Sequence, residues 1–244
     1  MLFQKIIDKT NKIINEDWIK SQYNGTGGIG ITFEKKLNIE TNTFEIPDFE
    51  NIEIKTKLIN SKSYISLFNA TPDSYLFEIK RIHQTYGYPD KKEKQYNVFN
   101  MSFYTNTKIY IGKNLYGKIK VDRKNHQVIL IIIDRYGNLV DSDCRWSFEL
   151  LPQKLNRKLK YLFLVHGNKK IINNETYYKY LDYDCFILKD FNHFIKCIEE
   201  GYIRITFKIS LTRTGPKKGQ IRDHGTSFDI KETDIEQLYY EIKS

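Results

Sequence analysis

Hydrophobic residues recur along the chain at two different spacings, and each spacing predicts one kind of element. Apolar residues at helical spacing predict amphipathic helices over residues 2–20 and after Asp190, the second one ending at Gly201. Between residues 203 and 211, apolar and polar side chains alternate strictly, which predicts a half-buried strand. Shorter strand-like runs occupy residues 98–104, 107–111, 116–122, 127–134 and 159–166. Helices interspersed with such strands indicate a mixed α/β fold.

Weaker signals complete the pattern. Helices are predicted over residues 31–37 and 72–86. Residues 44–58 resemble two short strands, of which the second is 52–58. The sequence Thr-x-x-Glu at 233–236 matches a capping box and predicts a final helix.

The composition is typical of a folded, soluble protein. Hydrophobic residues make up 40% and charged residues 28% of the chain. The longest apolar run, residues 128–133, is far shorter than the roughly 18 residues that a membrane-spanning helix needs. The three cysteines form no C-x-x-C pair, so we expect reduced thiols, no zinc site and a cytoplasmic location.

The net charge of +9 favours a polyanionic partner, with nucleic acid first and an anionic membrane second. A general enrichment in lysine explains the same surplus equally well. Charge alone therefore leaves both interpretations open.

The most informative segment is the predicted strand 52–58 and the residues before it. Because side chains alternate on a strand, Glu53, Lys55 and Lys57 share one face, while two isoleucines share the other. Asp48 lies about 16 Å from Glu53 along an extended chain, so only a turn between them brings both carboxylates to one place. Two carboxylates beside a lysine suit Mg²⁺-dependent phosphodiester hydrolysis.

A glycine cluster at residues 25–30 precedes Glu34, which is a candidate third carboxylate. A phosphate-cradling loop and a plain tight turn are competing interpretations of these glycines. The chain has no G-x-x-x-x-G-K-S/T motif, which disfavours nucleotide binding. On its own, an acidic–apolar–lysine triplet is more typical of a solvated strand face than of an active site.

Seven segments, taken in order, give this site a family context. They are residues 28–34, 47–48, 52–57, 66–68, 86–92, 146–147 and 221–228. Together they resemble the MvaI/BcnI family of type II restriction endonucleases, which are relatives of the MutH mismatch-repair nickase within the PD-(D/E)XK nucleases.

The resemblance implies a restriction-endonuclease-like mixed β-sheet core flanked by helices, with two lobes around a DNA cleft. We expect a catalytic lobe over about residues 1–120 and a recognition lobe over about 121–244 of one endonuclease unit. The implied partner is double-stranded DNA, cut by a monomer at a short, nearly palindromic site with a C/G-rich core such as CC-N-GG. A cognate DNA methyltransferase is expected as a neighbouring gene and not as a bound subunit.

The resemblance also assigns roles within the site. It makes Asp48 and Glu53 the ligands of Mg²⁺, for which Mn²⁺ is a substitute, and Lys55 the catalytic lysine. Glu34 becomes an accessory carboxylate that acts on the metal or on water. Spacing independently supports only the placement of Glu53 beside Lys55.

A basic, glycine-rich loop follows the strand that ends at Leu211. Its candidate DNA-binding residues are Arg213, Lys217, Lys218, Arg222, Asp223 and His224. Lysines suit phosphates, arginine suits guanine, and an aspartate can accept from cytosine or orient a neighbour. A solvated loop is the ordinary interpretation of such a segment, but in the resembling family this region helps to read bases.

Two other functions remain open at this point. A MutH-like nickase would cut one strand and depend on repair partners. A catalytically inactive DNA-binding module would bind without cutting, although the intact set of Asp48, Glu53 and Lys55 weighs against it.

Overall fold

The computed structural model describes residues 2–23, 25, 27–39, 47–73 and 75–242. Its helices are α1 (Gln4–Ile14), α2 (Gly28–Lys36), α3 (Tyr75–Tyr86), α4 (Leu150–Lys158), α5 (Phe191–Glu199) and α6 (Ile235–Leu238), with a 3₁₀ turn at Glu232–Asp234. Its strands are β1 (Ile19–Lys20), β2 (Ile52–Leu58), β3 (Ile65–Asn69), β4 (Tyr88–Pro89), β5 (Asn97–Phe103), β6 (Ile109–Gly112), β7 (Leu115–Asp122), β8 (Gln127–Asp134), β9 (Leu139–Asp141), β10 (Arg145–Ser147), β11 (Tyr161–Ile172), β12 (Glu175–Leu188), β13 (Ile203–Leu211), β14 (Ile221–Asp223), β15 (Ser227–Ile230) and β16 (Tyr239–Ile242). Residues 44–46, where the first strand predicted within 44–58 begins, and Thr26 of the glycine cluster lie outside the described residues.

The first compact unit comprises residues 1–65, 155–189 and 238–244. Its sheet has the strand order β1-β12-β11-β2, and β16 also pairs with β12. Among the described strands of this sheet, β2 and β11 are the pair that runs parallel, with Glu53 beside Leu162. A parallel pair needs a long crossover connection, and here the chain between β2 and β11 contains most of the second unit.

Aromatic and β-branched side chains form the core of the first unit. Phe33 of α2 is fully buried, and its ring lies 4.9 Å from the ring of Tyr180. The Tyr180 hydroxyl donates to the Ile29 carbonyl at 2.7 Å, which fastens α2 to β12. Burying a side chain of this size stabilises the fold by about 1.5–3 kcal/mol. The helix that precedes the candidate site is therefore fixed to the sheet.

The second compact unit comprises residues 66–154 and 190–237. One of its sheets has the order β10-β8-β7-β6 with β9 on β8, and the other has β3-β15-β13-β5-β4 with β14 on β13. The alternation predicted for residues 203–211 is confirmed, because the apolar side chains from Ile203 to Ile209 are buried. Trp146 is buried among phenylalanines and donates its ring N–H to the Ala70 carbonyl at 3.0 Å.

Two predicted helices are shorter than expected. The first ends at Ile14, because Asn15 and Asp17 compete with the helix backbone for hydrogen bonds. The chain then pairs Ile19 with Tyr178 in β1. The final helix lasts one turn before Tyr239 enters β16. The Thr233 hydroxyl donates to Asp234 Oδ1 at 3.2 Å. Aromatic residues that can pair with β12 outweigh the local helix signal.

The predicted mixed α/β architecture, with a mixed sheet flanked by helices, is confirmed. Contacts divide the chain into two discontinuous units, whereas the expected lobes met at one boundary near residue 120. All four carboxylate and lysine candidates from Glu34 to Lys55 lie in the first unit, and the basic loop 213–224 lies in the second. No helix in the described part of the chain is long and apolar enough to cross a membrane.

Candidate active site

A tight turn before β2 places Asp48. The Phe49 N–H donates to the Ile52 carbonyl at 3.0 Å, and the Ile52 N–H donates to the Phe49 carbonyl at 2.8 Å. Glu50 adopts a positive φ of 55° within this turn. The chain reverses there, and Asp48 Oδ2 accepts from the Ile54 N–H at 2.9 Å. The predicted return of Asp48 towards the strand is confirmed.

Glu53 is the most deeply buried charged group of the site, with 1% of its side chain exposed. Its Oε1 accepts from Lys55 Nζ at 2.6 Å and lies 3.2 Å from Lys158 Nζ. Its Oε2 is buried and has no hydrogen-bond partner among the described residues. The predicted placement of Glu53 beside Lys55 is confirmed, and the second carboxylate oxygen is buried with its hydrogen-bonding capacity unsatisfied.

The alternation of β2 also decides the position of Lys57. Ile52 and Ile54 are buried in the core, whereas Lys57 shares the face of Glu53. Its Nζ donates to the Ser63 carbonyl at 2.7 Å. Lys57 therefore supports the chain after β2, and of the two lysines on this face of β2 it is Lys55 that contacts the buried carboxylate.

Glu34 lies on helix α2, which packs against β2. It begins at Gly28, earlier than the predicted start at Ile31. A Cβ on Gly30 would lie 3.3 Å from Thr56 Oγ1 and 3.8 Å from Glu34 Oε1, so the absence of a side chain lets the helix approach the strand closely. Gly30 thus serves helix packing.

Burial and mutual repulsion raise the pKa values of two of the carboxyls. Burial is the main cause for both Glu34 and Glu53, and the negative charge of Asp48 adds to it in each case. Lys55 and Lys158 oppose the rise in the pKa of Glu53. Three carboxyls that share one electrostatic field and are partly desolvated favour the binding of a cation.

These residues fit a divalent metal ion. Mg²⁺ is usually held by one or two carboxylates, waters and substrate phosphate oxygens, and it needs no cage made wholly of protein. Within the described ranges, no group of three or more His, Cys, Asp or Glu residues forms such a cage. Glu53, whose Oε2 has no partner among the described residues, and Asp48, whose negative charge acts on Glu53, are the hard oxygen donors that would hold such an ion.

The sequence analysis did not identify Lys158. It is far from Lys55 along the chain and belongs to no recognised motif. Its approach to Glu53 depends on the pairing of β11 with β2, which periodicity alone does not reveal.

The basic loop of the second unit is a turn between β13 and β14. Lys217 and Lys218 are exposed in its tip, between Gly215 and Gly219, which both have positive φ. Arg213 is less exposed, because its guanidinium forms ion pairs with Asp90 and Glu93. The two lysines are therefore solvated, whereas Arg213 is held in place by two carboxylates.

Strand β14 separates the remaining candidates onto two faces. Arg222 lies opposite Ser210, and the His224 Nε2 is 2.8 Å from Ser210 Oγ. Arg213, Arg222 and His224 line one open cavity of about 570 Å³, whose other lining residues include Asn100 and Lys208. The structure therefore brings these three candidates together.

Asp223 lies elsewhere. It lines a different cavity, together with Lys80 and Gln84, and accepts from the Gly225 N–H at 2.9 Å. Burial raises its pKa. The sequence alone suggested a loop here, which does not reveal that Arg222 and Asp223 point to opposite faces of a strand. The sequence analysis also missed Lys208, although the alternation of residues 203–211 places it on the polar face.

Known restriction endonucleases resemble this chain in sequence and in fold. The model of the MvaI/BcnI restriction endonuclease family matches residues 7–239. The solved structure of restriction endonuclease MvaI in complex with its cognate DNA substrate is 28% identical, covers 98% of this chain and 97% of that chain, and has a TM-score of 0.89. The structure of MvaI in the absence of DNA is 27% identical, covers 96% and 94%, and has a TM-score of 0.62. A comparison with curated proteins found no match.

Proposed function

Because this chain belongs to the MvaI/BcnI restriction endonuclease family, we propose that it cuts both strands of DNA at a short, nearly palindromic site with Mg²⁺. Membership makes the chain a type II site-specific deoxyribonuclease and implies that it uses a divalent metal ion. The identity of that metal, the residues that hold it and the form of the DNA site are the parts we propose.

One observation carries the catalytic assignment. Glu53 is buried with one oxygen on Lys55 and the other without a partner among the described residues. A buried carboxylate oxygen without a partner is costly in a folded protein unless a ligand completes it. Asp48, fixed by the Ile54 N–H, provides the second oxygen ligand.

Each residue then has a definite task. Asp48 and Glu53 hold the divalent ion, which supplies charge neutralisation and Lewis acidity at the scissile phosphate. Lys55 donates to the reacting phosphate or the attacking water and stabilises the negative charge that develops in the transition state. Glu34, whose pKa is raised by burial, orients the water or accepts its proton.

The oxygen-only ligand set favours Mg²⁺ as the metal and accommodates Mn²⁺ as a substitute. Neither His nor Cys is part of the set, which disfavours zinc as the working ion.

The second unit supplies recognition in this proposal. Arg213, Arg222 and His224, which line one cavity, read base edges, and the exposed Lys217 and Lys218 contact phosphates. Asp223, on the opposite face of β14, orients this strand through the Gly225 N–H. The enzyme acts as a monomer, and its methyltransferase is a genetic neighbour.

A cleavage assay tests this proposal. Supercoiled plasmid and a sequenced phage genome are digested with Mg²⁺, with Mn²⁺ and with EDTA, and the fragment ends are mapped. We expect linear and discrete fragments with either metal and none with EDTA. Nicked circles that persist on long incubation would favour a strand-nicking enzyme. DNA binding without cutting under any divalent metal would favour an inactive module.

A further inference from the structure

A second lysine contacts the buried carboxylate of Glu53. Lys158 Nζ lies 3.2 Å from Glu53 Oε1, the same oxygen that accepts from Lys55 at 2.6 Å. The two lysine side chains are 26% and 25% exposed, against 1% for Glu53. One buried oxygen therefore has two cationic partners that both reach the surface.

The fold fixes Lys158 in this position. Lys158 is the last residue of α4, and the fully buried Leu155 and Leu159 anchor the helix end on either side of it. Tyr161 then begins β11, which runs parallel to β2 with Tyr161 beside Ile52. Parallel strands begin at the same edge of a sheet. Lys158, at the end of α4 just before β11, therefore lies beside the start of β2.

Lys55 and Lys158 cannot have the same role. In the proposed reaction Lys55 must turn from Glu53 to the phosphate or the attacking water. Glu53 would then be a buried carboxylate that has lost its nearest cation at the moment when its orientation matters most. Lys158 is the group that can remain.

We propose that Lys158 is a positioning residue that holds Glu53 Oε1, which fixes the orientation of the Glu53 carboxylate and frees Lys55 for the reaction. This inference rests on the proposed function, because it assumes that Glu53 holds the metal and that Lys55 acts on the phosphate. Lys158 itself touches neither the DNA nor the reacting atoms.

The proposal predicts opposite effects on metal binding and on cleavage. Lys158 is a cation beside the metal ligands, so its removal lowers electrostatic repulsion and tightens metal binding. Without Lys158, however, Lys55 stays on Glu53, and cleavage slows. General disruption of the site would instead weaken metal binding and slow cleavage together.

The experiment compares Lys158→Met, Lys158→Arg and the control Arg157→Met, which removes one positive charge from the adjacent exposed position. Mn²⁺ affinity is measured without DNA by electron paramagnetic resonance, and single-turnover cleavage is measured across Mg²⁺ concentrations. For Lys158→Met we expect Mn²⁺ affinity to rise severalfold and cleavage at saturating Mg²⁺ to fall about tenfold or more. Lys158→Arg, which keeps the charge, should restore both values towards wild type, and Arg157→Met should change neither.

Several results would overturn the proposal. One is a Lys158→Met variant with unchanged Mn²⁺ affinity and an unchanged Mg²⁺ concentration for half-maximal cleavage. Another is a Lys158→Met variant that loses metal binding and cleavage together. The third is an Arg157→Met variant with effects equal to those of Lys158→Met. A Lys55→Met variant, assayed beside them, separates this proposal from the proposed function. If Lys55→Met cuts normally, the assigned function of the site is wrong, whatever Lys158→Met does to metal affinity.

Discussion

The carboxylate site of the first unit and the basic loop of the second hold their charges in opposite ways. Glu53 is buried and already contacts two lysines in the protein alone. Lys217, Lys218 and Arg222 are exposed to solvent. One region has therefore lost most of its water before any ligand arrives, whereas the other keeps it until DNA binds.

This difference has a consequence for function. Desolvated, fixed charges act strongly at short range and need no reorganisation during the reaction. Each solvated charge contributes a small interaction energy, and salt screens that interaction. We therefore expect one substitution in the carboxylate site to abolish cutting, whereas each substitution in the loop changes binding by a limited amount.

The largest expected effect comes from Lys55→Ala. Cleavage should fall by about 100-fold or more, because a preorganised charged donor is removed from the transition state. Specific DNA binding in Ca²⁺ should survive, since Asp48 and Glu53 still hold an ion. Single-turnover cleavage and duplex binding in Ca²⁺ measure the two effects separately.

Lys57→Ala is the internal control for Lys55→Ala. Its ammonium donates to the Ser63 carbonyl, so we expect lower stability by about 1–3 kcal/mol for the folded variant, with cutting near the wild-type rate. If Lys57→Ala abolishes cutting in a folded protein and Lys55→Ala does not, the catalytic lysine has been assigned to the wrong position.

The sequence was sufficient where a short stretch of backbone decides the geometry. The adjacency of Glu53 and Lys55 follows from the period of a strand. The distance along the chain from Asp48 to Glu53 showed only that a turn is required to bring them together, and the family resemblance supplied Asp48 as a candidate. The seven segments that resemble the MvaI/BcnI family predicted the enzyme class, and the family match confirms it.

The sequence was insufficient where distant segments meet. Lys158 reaches Glu53 only because β11 pairs in parallel with β2 after a long insertion. In the basic loop, the separation of Asp223 from Arg222 needs the knowledge that residues 221–223 form a strand.

A smaller effect is expected in the base-reading part of the loop. Arg222→Ala or His224→Ala should weaken binding to the cognate site by about 1–3 kcal/mol, the amount expected for a lost base contact. Binding to scrambled duplex should change much less. The measurement is a titration of cognate and scrambled duplexes in Ca²⁺, and equal losses on both would mean that recognition lies elsewhere.

Lys217→Ala and Lys218→Ala test whether the exposed lysines of the loop contact phosphates. Each should weaken binding to cognate and scrambled DNA alike, and each should flatten the dependence of log affinity on log salt by about one unit. A salt titration of the two variants beside Arg222→Ala distinguishes phosphate contacts from base contacts. A cognate-selective loss in Lys217→Ala would assign this lysine to base reading.

The smallest expected effect concerns the protonation of His224. Burial lowers the pKa of His224 below its ordinary value of 6.5, and the positive charge of Arg222 lowers it further. The imidazole is therefore neutral in the folded protein at pH 7. Because the pKa is lower in the folded than in the unfolded state, the corresponding stability is present above pH 6.5 and is lost as the pH falls through the folded-state pKa.

Arg222→Ala removes one of these two causes and leaves the other. The pKa of His224 should rise towards 6.5 without reaching it, because burial persists. An NMR titration of the imidazole proton signals measures this shift, with Lys217→Ala as the control that removes an exposed charge from the same loop. An unchanged pKa in Arg222→Ala would show that solvent already screens the arginine from its neighbour. The contrast between a desolvated carboxylate site and a solvated loop would then hold even over the short separation between Arg222 and His224.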